Sequence, residues 1–368
     1  MPQGRRRQRR RPLNIAVVGA GAFGRNHLRV YRELASSRPI TDPPVRVTAI
    51  VEPNLSQAAS SLWPAEHLLP PPTTFDSVDA LLAARERGDI AVDAASVCVP
   101  TTAHCDVTSS LLSAGIDVLV EKPIASTVAE ADQMVALALH HSRILQVGHL
   151  ERFNPAVLAA SSMRHQPMFF EAHRLSIFSP RALDVDVVLD LMIHDLDIVL
   201  DLAQSPVREV HAVGLPIVSP QVDISNVRIE FDSGCVANFT ASRVSTERVR
   251  KLRFFQPHQY ISIDYARKDL LVIDVAPDTF LAEAAFSANH PVSPAASALP
   301  PGLRMHKPHV QEDEPLRLEI ESFLECVRTR RTPLVTGDDG RRALALATRI
   351  HEAMSAHARR AGLERFML

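Results

Sequence analysis

The sequence predicts a two-domain chain: an α/β Rossmann domain (a doubly wound parallel sheet) followed by an α+β domain with an open-faced, largely antiparallel sheet. Three observations predict it. A chain of 368 residues exceeds what one core usually organises. Residues 13–149 alternate short apolar runs with helical patterns, the mark of βαβ units. From about residue 166 the pattern turns to successive alternating strands with one long helix among them.

In the first part, strands are expected at 13–18, 45–51, 94–99, 117–121 and 144–148. Helices are expected at 22–35, 75–87, 103–114 and 127–141, and the prolines around 64–72 dictate a loop. In the second part, strands are expected at 169–176, 207–216, 223–231, 235–243, 250–255, 260–265 and 270–275, with a helix over roughly 183–203. Val227, Ile229 and Phe231 alternate with Arg228 and Glu230, so one face of this sheet is buried and the other is left to pair or bind. Residues 277–313, rich in Ala, Ser and Pro, are expected to form a mobile excursion. Helices return at 314–328 and 338–358 and could pack back on the first domain. The expected organisation is a disordered basic arm at 1–12, a nucleotide-binding domain at 13–150, and a substrate and oligomerisation domain at 151–368.

Net charge is −2, but Arg5, Arg6, Arg7, Arg9, Arg10 and Arg11 place +6 in the first eleven residues and leave −8 on the rest. That arm has no aromatic residue and no basic partner domain, so a disordered extension fits it better than a nucleic-acid-binding element. A twin-arginine signal lacks its separate apolar segment, because Ile15 already opens the first strand. Four scattered cysteines (Cys98, Cys105, Cys235 and Cys326) suit neither a disulfide framework nor a cysteine zinc site, and they fit a reducing cytoplasm. No apolar run approaches the ~20 residues of a membrane span.

The chemistry is carried by motifs at strand ends. Gly19-Ala20-Gly21-Ala22-Phe23-Gly24 follows the apolar run Ile15-Ala16-Val17-Val18. Gly19 turns tightly, Gly21 lets backbone N–H groups approach a pyrophosphate, and Gly24 lets helix pack on strand. Ala22 and Phe23 open the helix whose N-terminus faces the phosphates. Glu52, at the end of the second strand, can accept from both ribose hydroxyls and repel a 2′-phosphate, which favours NAD over NADP. Pro100 and Thr101 end a further strand, where Thr101 or Thr102 is placed to cap the next helix. His104 either faces the cofactor or packs in that helix's first turn.

Glu121-Lys122-Pro123 puts a lysine at the carboxyl end of a strand in the same sheet, where a nicotinamide would sit. There Lys122 can stabilise an alkoxide as hydride moves. Asp190 and His194 are four residues apart and share a helix face, which suits a histidine acid/base oriented by a carboxylate. Asn154 before Pro155 is a good helix cap as well as a candidate substrate contact. Arg152 at the domain junction, with Arg174, Arg181 and Arg243, could hold an anionic substrate. No residue set suggests a metal ion.

Taken together, these residues resemble the glucose–fructose oxidoreductase / inositol dehydrogenase / rhizopine-catabolism (Gfo/Idh/MocA) family over nearly the whole chain, outside the arginine arm and 277–313. Glu121-Lys122-Pro123 followed by the Asp190/His194 pair is the more specific part. The resemblance implies catalytic roles for Lys122, Asp190 and His194, and subunits pairing through the open sheet as a homodimer or homotetramer. Met192 stands where the family often has Gly. The segments 146–155, 178–181 and 184–195 are similar to bacterial UDP-N-acetylglucosamine 3-dehydrogenases, linked to diamino-sugar lipid A synthesis. The implied reaction is NAD-dependent oxidation of a sugar secondary hydroxyl, most simply the 3-hydroxyl of a UDP-N-acetylhexosamine. A dehydrogenase of a free sugar or inositol, and a non-catalytic sensor on the same fold, stay open at this point.

Overall fold

The computed structural model describes residues 11–37, 45–54, 63, 69–179, 185–275 and 303–363. Most of the arginine arm, most of the 277–313 segment and the expected contact Arg181 lie outside the described residues. The chain divides into two compact units. Residues 1–149 with 316–344 form one, and 150–315 with 345–368 form the other.

The first unit is a six-stranded parallel sheet. Its strands are β1 (Leu13–Val18), β2 (Val45–Val51), β3 (Thr73–Phe75), β4 (Ala94–Val97), β5 (Asp117–Glu121) and β6 (Leu145–Gly148). The order is β3-β2-β1-β4-β5-β6, so the strand order reverses between β1 and β4, where dinucleotides bind in such sheets. Ile15, Val17, Ala94, Val118, Leu119 and Val120 are fully buried, which explains why these strands read as continuous apolar runs. Around the sheet run α1 (Ala22–Ser36), α2 (Val78–Glu86), α3 (His104–Ser113), α4 (Val128–His140) and, later in the chain, α7 (Pro315–Thr329). Helix α4 starts at a capping box in which Thr127 and Glu130 satisfy each other's backbone N–H groups.

The second unit is built on β7 (Phe169–Leu175), β8 (Val207–Leu215), β9 (Ile224–Phe231), β10 (Val236–Ser242), β11 (Val249–Gln256), β12 (Gln259–Asp264), β13 (Asp269–Val275) and β14 (Leu303–His306). The order is β14-β13-β12-β11-β7-β10-β9-β8. β7 and β10 run parallel and the other pairs antiparallel. Phe170, Val227, Ile229, Phe239, Phe254 and Ile261 bury one face, beside α5 (Pro155–Ser161) and α6 (Ile193–Ala203). The other face carries half-exposed Phe169, Phe255 and Tyr260, whose rings lie 5.5 and 5.1 Å apart in succession, and the Glu171–Arg253 ion pair. The final helix, α8 (Gly337–Arg360), passes from the first unit into the second at residue 344.

Two expectations need correction. β3 follows the proline-rich loop but was invisible, because a three-residue, largely exposed edge strand has no period to read. Residues 303–306, expected within the mobile excursion, form β14 and pair with β13. That edge is specified by backbone pairing rather than by side-chain burial, since three of its four residues are exposed.

Candidate active site

At the end of β1 the chain turns at Gly19 with φ +89°, a left-handed value that favours glycine. A Cβ there would lie 2.6 Å from the Cys98 carbonyl oxygen. At Gly24 a Cβ would come within 2.0 Å of the Gly19 carbonyl oxygen, so α1 packs directly on the turn. Gly21 is the opposite case: a Cβ would meet nothing within 4 Å. It is the residue before α1 and has no capping side chain, so nothing of its own competes for the first-turn N–H groups. Open space bordered by a helix N-terminus is what a pyrophosphate requires. Ala22 and Phe23 begin the helix, and Phe23 stays exposed. The Glu52 carboxylate accepts from the Ala20 N–H at 2.9 Å and from the Asn54 N–H at 3.3 Å, which fixes it beside the turn. These residues fit a dinucleotide.

Lys122 follows Glu121 at the end of β5, half-buried, and a cis peptide bond joins it to Pro123. His104 braces this loop. Its ring nitrogens lie 2.9 Å from the Pro123 carbonyl oxygen and 3.0 Å from that of Val99, and the neutral ring, with a single N–H, donates to one of the two. Burial lowers its pKa, outweighing the raising effect of those two carbonyls. Neither threonine caps α3. A 3₁₀ turn over Thr101–Ala103, preceded by Pro100, intervenes and leaves Ala103 at the cap position without a side-chain bond.

Beneath this rim lies a polar chain that the sequence reading missed. Tyr31 Oη and Ser96 Oγ are 2.8 Å apart, Ser96 Oγ lies 3.1 Å from His27 Nδ1, and His27 Nε2 lies 3.0 Å from Glu121 Oε1. A Cβ on Gly148 would sit 2.8 Å from that same Glu121 oxygen. Donor atoms of His27, Cys98 and Glu121 fall within 4.8 Å of one another, but both imidazole nitrogens are already hydrogen-bonded, which disfavours a metal ion between them. The signal was available. His27 and Tyr31 occupy the face of α1 that buries Leu28 and Leu34, and Glu319 occupies the face of α7 that buries Leu316, Ile320 and Phe323. Polar residues at core positions of an amphipathic helix are costly and call for a reason.

In the second unit, Asp190 lies in a π-helical turn, Val188–Met192, that runs directly into α6 with His194 as its second residue. Asp186 caps the turn, accepting from the Val188 N–H at 2.7 Å and the Leu189 N–H at 3.3 Å. Asp190 and His194 are both half-buried. A π-turn inside a helix is uncommon and frequently marks functional sites.

The arginines are less available than the sequence suggested. Arg174 is 3% exposed and bidentate to Asp195 (2.7 and 3.0 Å), bonds Glu151 at 3.1 Å, and stacks on Tyr265. Arg152 pairs with Asp197 at 3.5 Å and Asp201 at 3.0 Å. Arg243 pairs with Asp223 at 3.5 Å and donates to the Val185 carbonyl oxygen. Asn154 caps α5 through the Ala156 N–H and donates to Glu151 and to the Tyr265 carbonyl oxygen. These four residues hold the second unit together. Gripping a substrate would mean opening those bonds.

Comparison with known proteins fits this geometry. Residues 13–149 match the oxidoreductase family with an NAD-binding Rossmann fold, and residues 156–257 match the GFO/IDH/MocA C-terminal domain. UDP-N-acetylglucosamine 3-dehydrogenase of Acidithiobacillus ferrooxidans is 32% identical over 95% of this chain and 99% of its own. Its solved structure superposes with a TM-score of 0.77 at 30% identity, covering 94% of this chain and 98% of that one. The NAD-dependent scyllo-inositol 2-dehydrogenase of Bacillus subtilis is 26% identical over 68% of this chain and 72% of its own.

Proposed function

The chain belongs to the Gfo/Idh/MocA family of NAD-binding oxidoreductases, and from that premise we propose that it oxidises the 3-hydroxyl of UDP-N-acetylglucosamine, a step supplying amino-sugar precursors of lipid A. End-to-end similarity to the A. ferrooxidans enzyme carries this reading. The same premise supports a homodimer or homotetramer through the open face of the second sheet, and four cysteines without disulfides suit a cytoplasmic location.

When bound, NAD supplies the hydride acceptor at nicotinamide C4. His194 accepts the hydroxyl proton and passes it to solvent, and Asp190 orients the imidazole. The Lys122 ammonium stabilises the negative charge that develops on the sugar oxygen. Glu52 selects the unphosphorylated ribose, and the first-turn N–H groups of α1 hold the pyrophosphate. The sugar carbon loses hydride and the oxygen loses a proton, so the products are a 3-keto sugar nucleotide, reduced cofactor and one proton.

The test replaces Lys122 and His194 singly by alanine. Each variant should lose about a hundredfold or more in kcat, within the range for removing one acid/base or charge-stabilising group, while NAD affinity stays within about twofold. Wild-type kcat in both variants would refute the assignment. Activity with free inositol but not with the UDP sugar would favour the reading suggested by the inositol relative.

A further inference from the structure

The buried polar chain is not used by the roles above, and it touches the cofactor cradle directly. The Cys98 carbonyl oxygen is the atom that a Cβ on Gly19 would strike, and Cys98 Sγ, a His27 ring nitrogen and a Glu121 oxygen lie within 4.8 Å of one another. Behind them, on α7, Glu319 is fully buried, and neither of its carboxyl oxygens has a hydrogen-bond partner among the described residues. Gln146 of β6 donates its side-chain amide to the Glu319 main-chain oxygen at 3.2 Å, and two residues on, on the same face of that strand, a Cβ on Gly148 would sit 2.8 Å from a Glu121 carboxyl oxygen. Glu121 and Glu319 therefore lie over one face of β6, with Tyr31 of α1 and Cys98 after β4 within electrostatic reach of Glu319.

An isolated carboxylate in such surroundings is strongly disfavoured, and two neighbouring carboxylates cannot both ionise cheaply. Glu121 has a histidine partner and a side chain 12% exposed, whereas Glu319 has neither advantage. The proton of the pair therefore rests on Glu319. Burial, and secondarily the Glu121 charge, push its carboxyl well above the ordinary range.

We propose that Glu121 and Glu319 form a carboxyl dyad that carries one proton in the cofactor-free protein and releases it to solvent when the oxidised, cationic cofactor binds. Oxidised nicotinamide is positively charged and reduced nicotinamide is neutral, so only the oxidised form favours a second negative charge beneath it. The dyad thereby sets a preference for NAD over NADH that grows with pH. This rests on the reading of the glycine turn as an NAD cradle.

The experiment measures NAD and NADH dissociation constants from about pH 6 to about pH 9, in wild type and in Glu319→Gln. One linked proton gives a slope of up to about tenfold per pH unit. NAD should tighten with pH along part of that range while NADH stays flat, and Glu319→Gln should flatten the NAD slope. His27→Gln, which leaves the dyad in place, should retain it. Calorimetry of wild type in two buffers of different ionisation enthalpy should show net proton release on binding NAD and none on binding NADH, a readout that does not depend on any variant folding. A wild-type slope that persists in Glu319→Gln, or no proton release, overturns the dyad alone. Failure of wild type to bind NAD overturns the dyad and the cradle together.

Discussion

Replacing Gly21 by alanine separates the cradle's role in folding from its role in binding. The added Cβ meets nothing within 4 Å in the cofactor-free protein, and the φ of Gly21 is −64°, which any residue tolerates. Stability should therefore stay within about 0.5 kcal/mol of wild type, as for other unstrained surface substitutions. The same methyl would occupy the space proposed for the pyrophosphate beside the first N–H groups of α1. Losing one charge-assisted hydrogen bond costs about 1.5–3 kcal/mol, so NAD should bind about tenfold to a hundredfold more weakly. Gly24→Ala is the contrast. Its Cβ would lie 2.0 Å from a backbone oxygen, more than 1 Å inside normal contact, and neither partner can rotate away. Overpacking of this kind costs about 1–3 kcal/mol, so this variant should lose stability as well as affinity. Thermal melts and titration calorimetry on both proteins give the two quantities. A Gly21→Ala protein that binds NAD like wild type would refute the placement of the phosphates.

Three further outcomes are expected. Arg174→Met should destabilise the second unit by about 3–5 kcal/mol, the cost of stranding a buried partner charge, because Asp195 and Glu151 lose their cation; a KM effect with unchanged melting would instead restore Arg174 as a substrate contact. Asp223 is buried, which raises its pKa, but the Ser219 hydroxyl and the Val218, Ile217 and Ser219 N–H groups outweigh burial and lower it. A lowered folded-state pKa gives stability that is present above the ordinary carboxylate range and lost as pH falls through the folded value, so an acid melting series should show a limb that Asp223→Asn flattens. Glu52→Ser should narrow the preference for NAD over NADP by about tenfold or more, on the scale of one charged hydrogen bond, measured as the ratio of the two dissociation constants.

Most of the fold was legible because it is written in local periods. The five longer Rossmann strands and the four helices between them fall within a few residues of the expected limits, since buried parallel strands read as unbroken apolar runs. The alternation of Val227, Ile229 and Phe231 gave the buried face of the second sheet. What escaped was short or non-local. β3 and β14 are three- and four-residue edges defined by partners distant in sequence. The π-turn under Asp190 depends on backbone geometry that residue spacing does not encode. The glycine geometry, by contrast, was legible: Gly19 takes a left-handed φ, Gly24 leaves no room for a Cβ, and Gly21 faces open space. The internal partners of the arginines were not legible, because sequence shows a charge but not what it pairs with. Asp195, Asp197 and Asp223 come to Arg174, Arg152 and Arg243 through tertiary packing. The Glu121–Glu319 pair was hidden for the same reason, since about two hundred residues separate its members in the chain.

The most direct test of the central claim is the appearance of NADH absorbance when purified protein is mixed with NAD and UDP-N-acetylglucosamine, beside parallel reactions with free N-acetylglucosamine and myo-inositol. The account predicts NADH with the UDP sugar alone. NADH with the free polyols and none with the UDP sugar would contradict the substrate assignment while leaving the cofactor cradle and the reaction class in place.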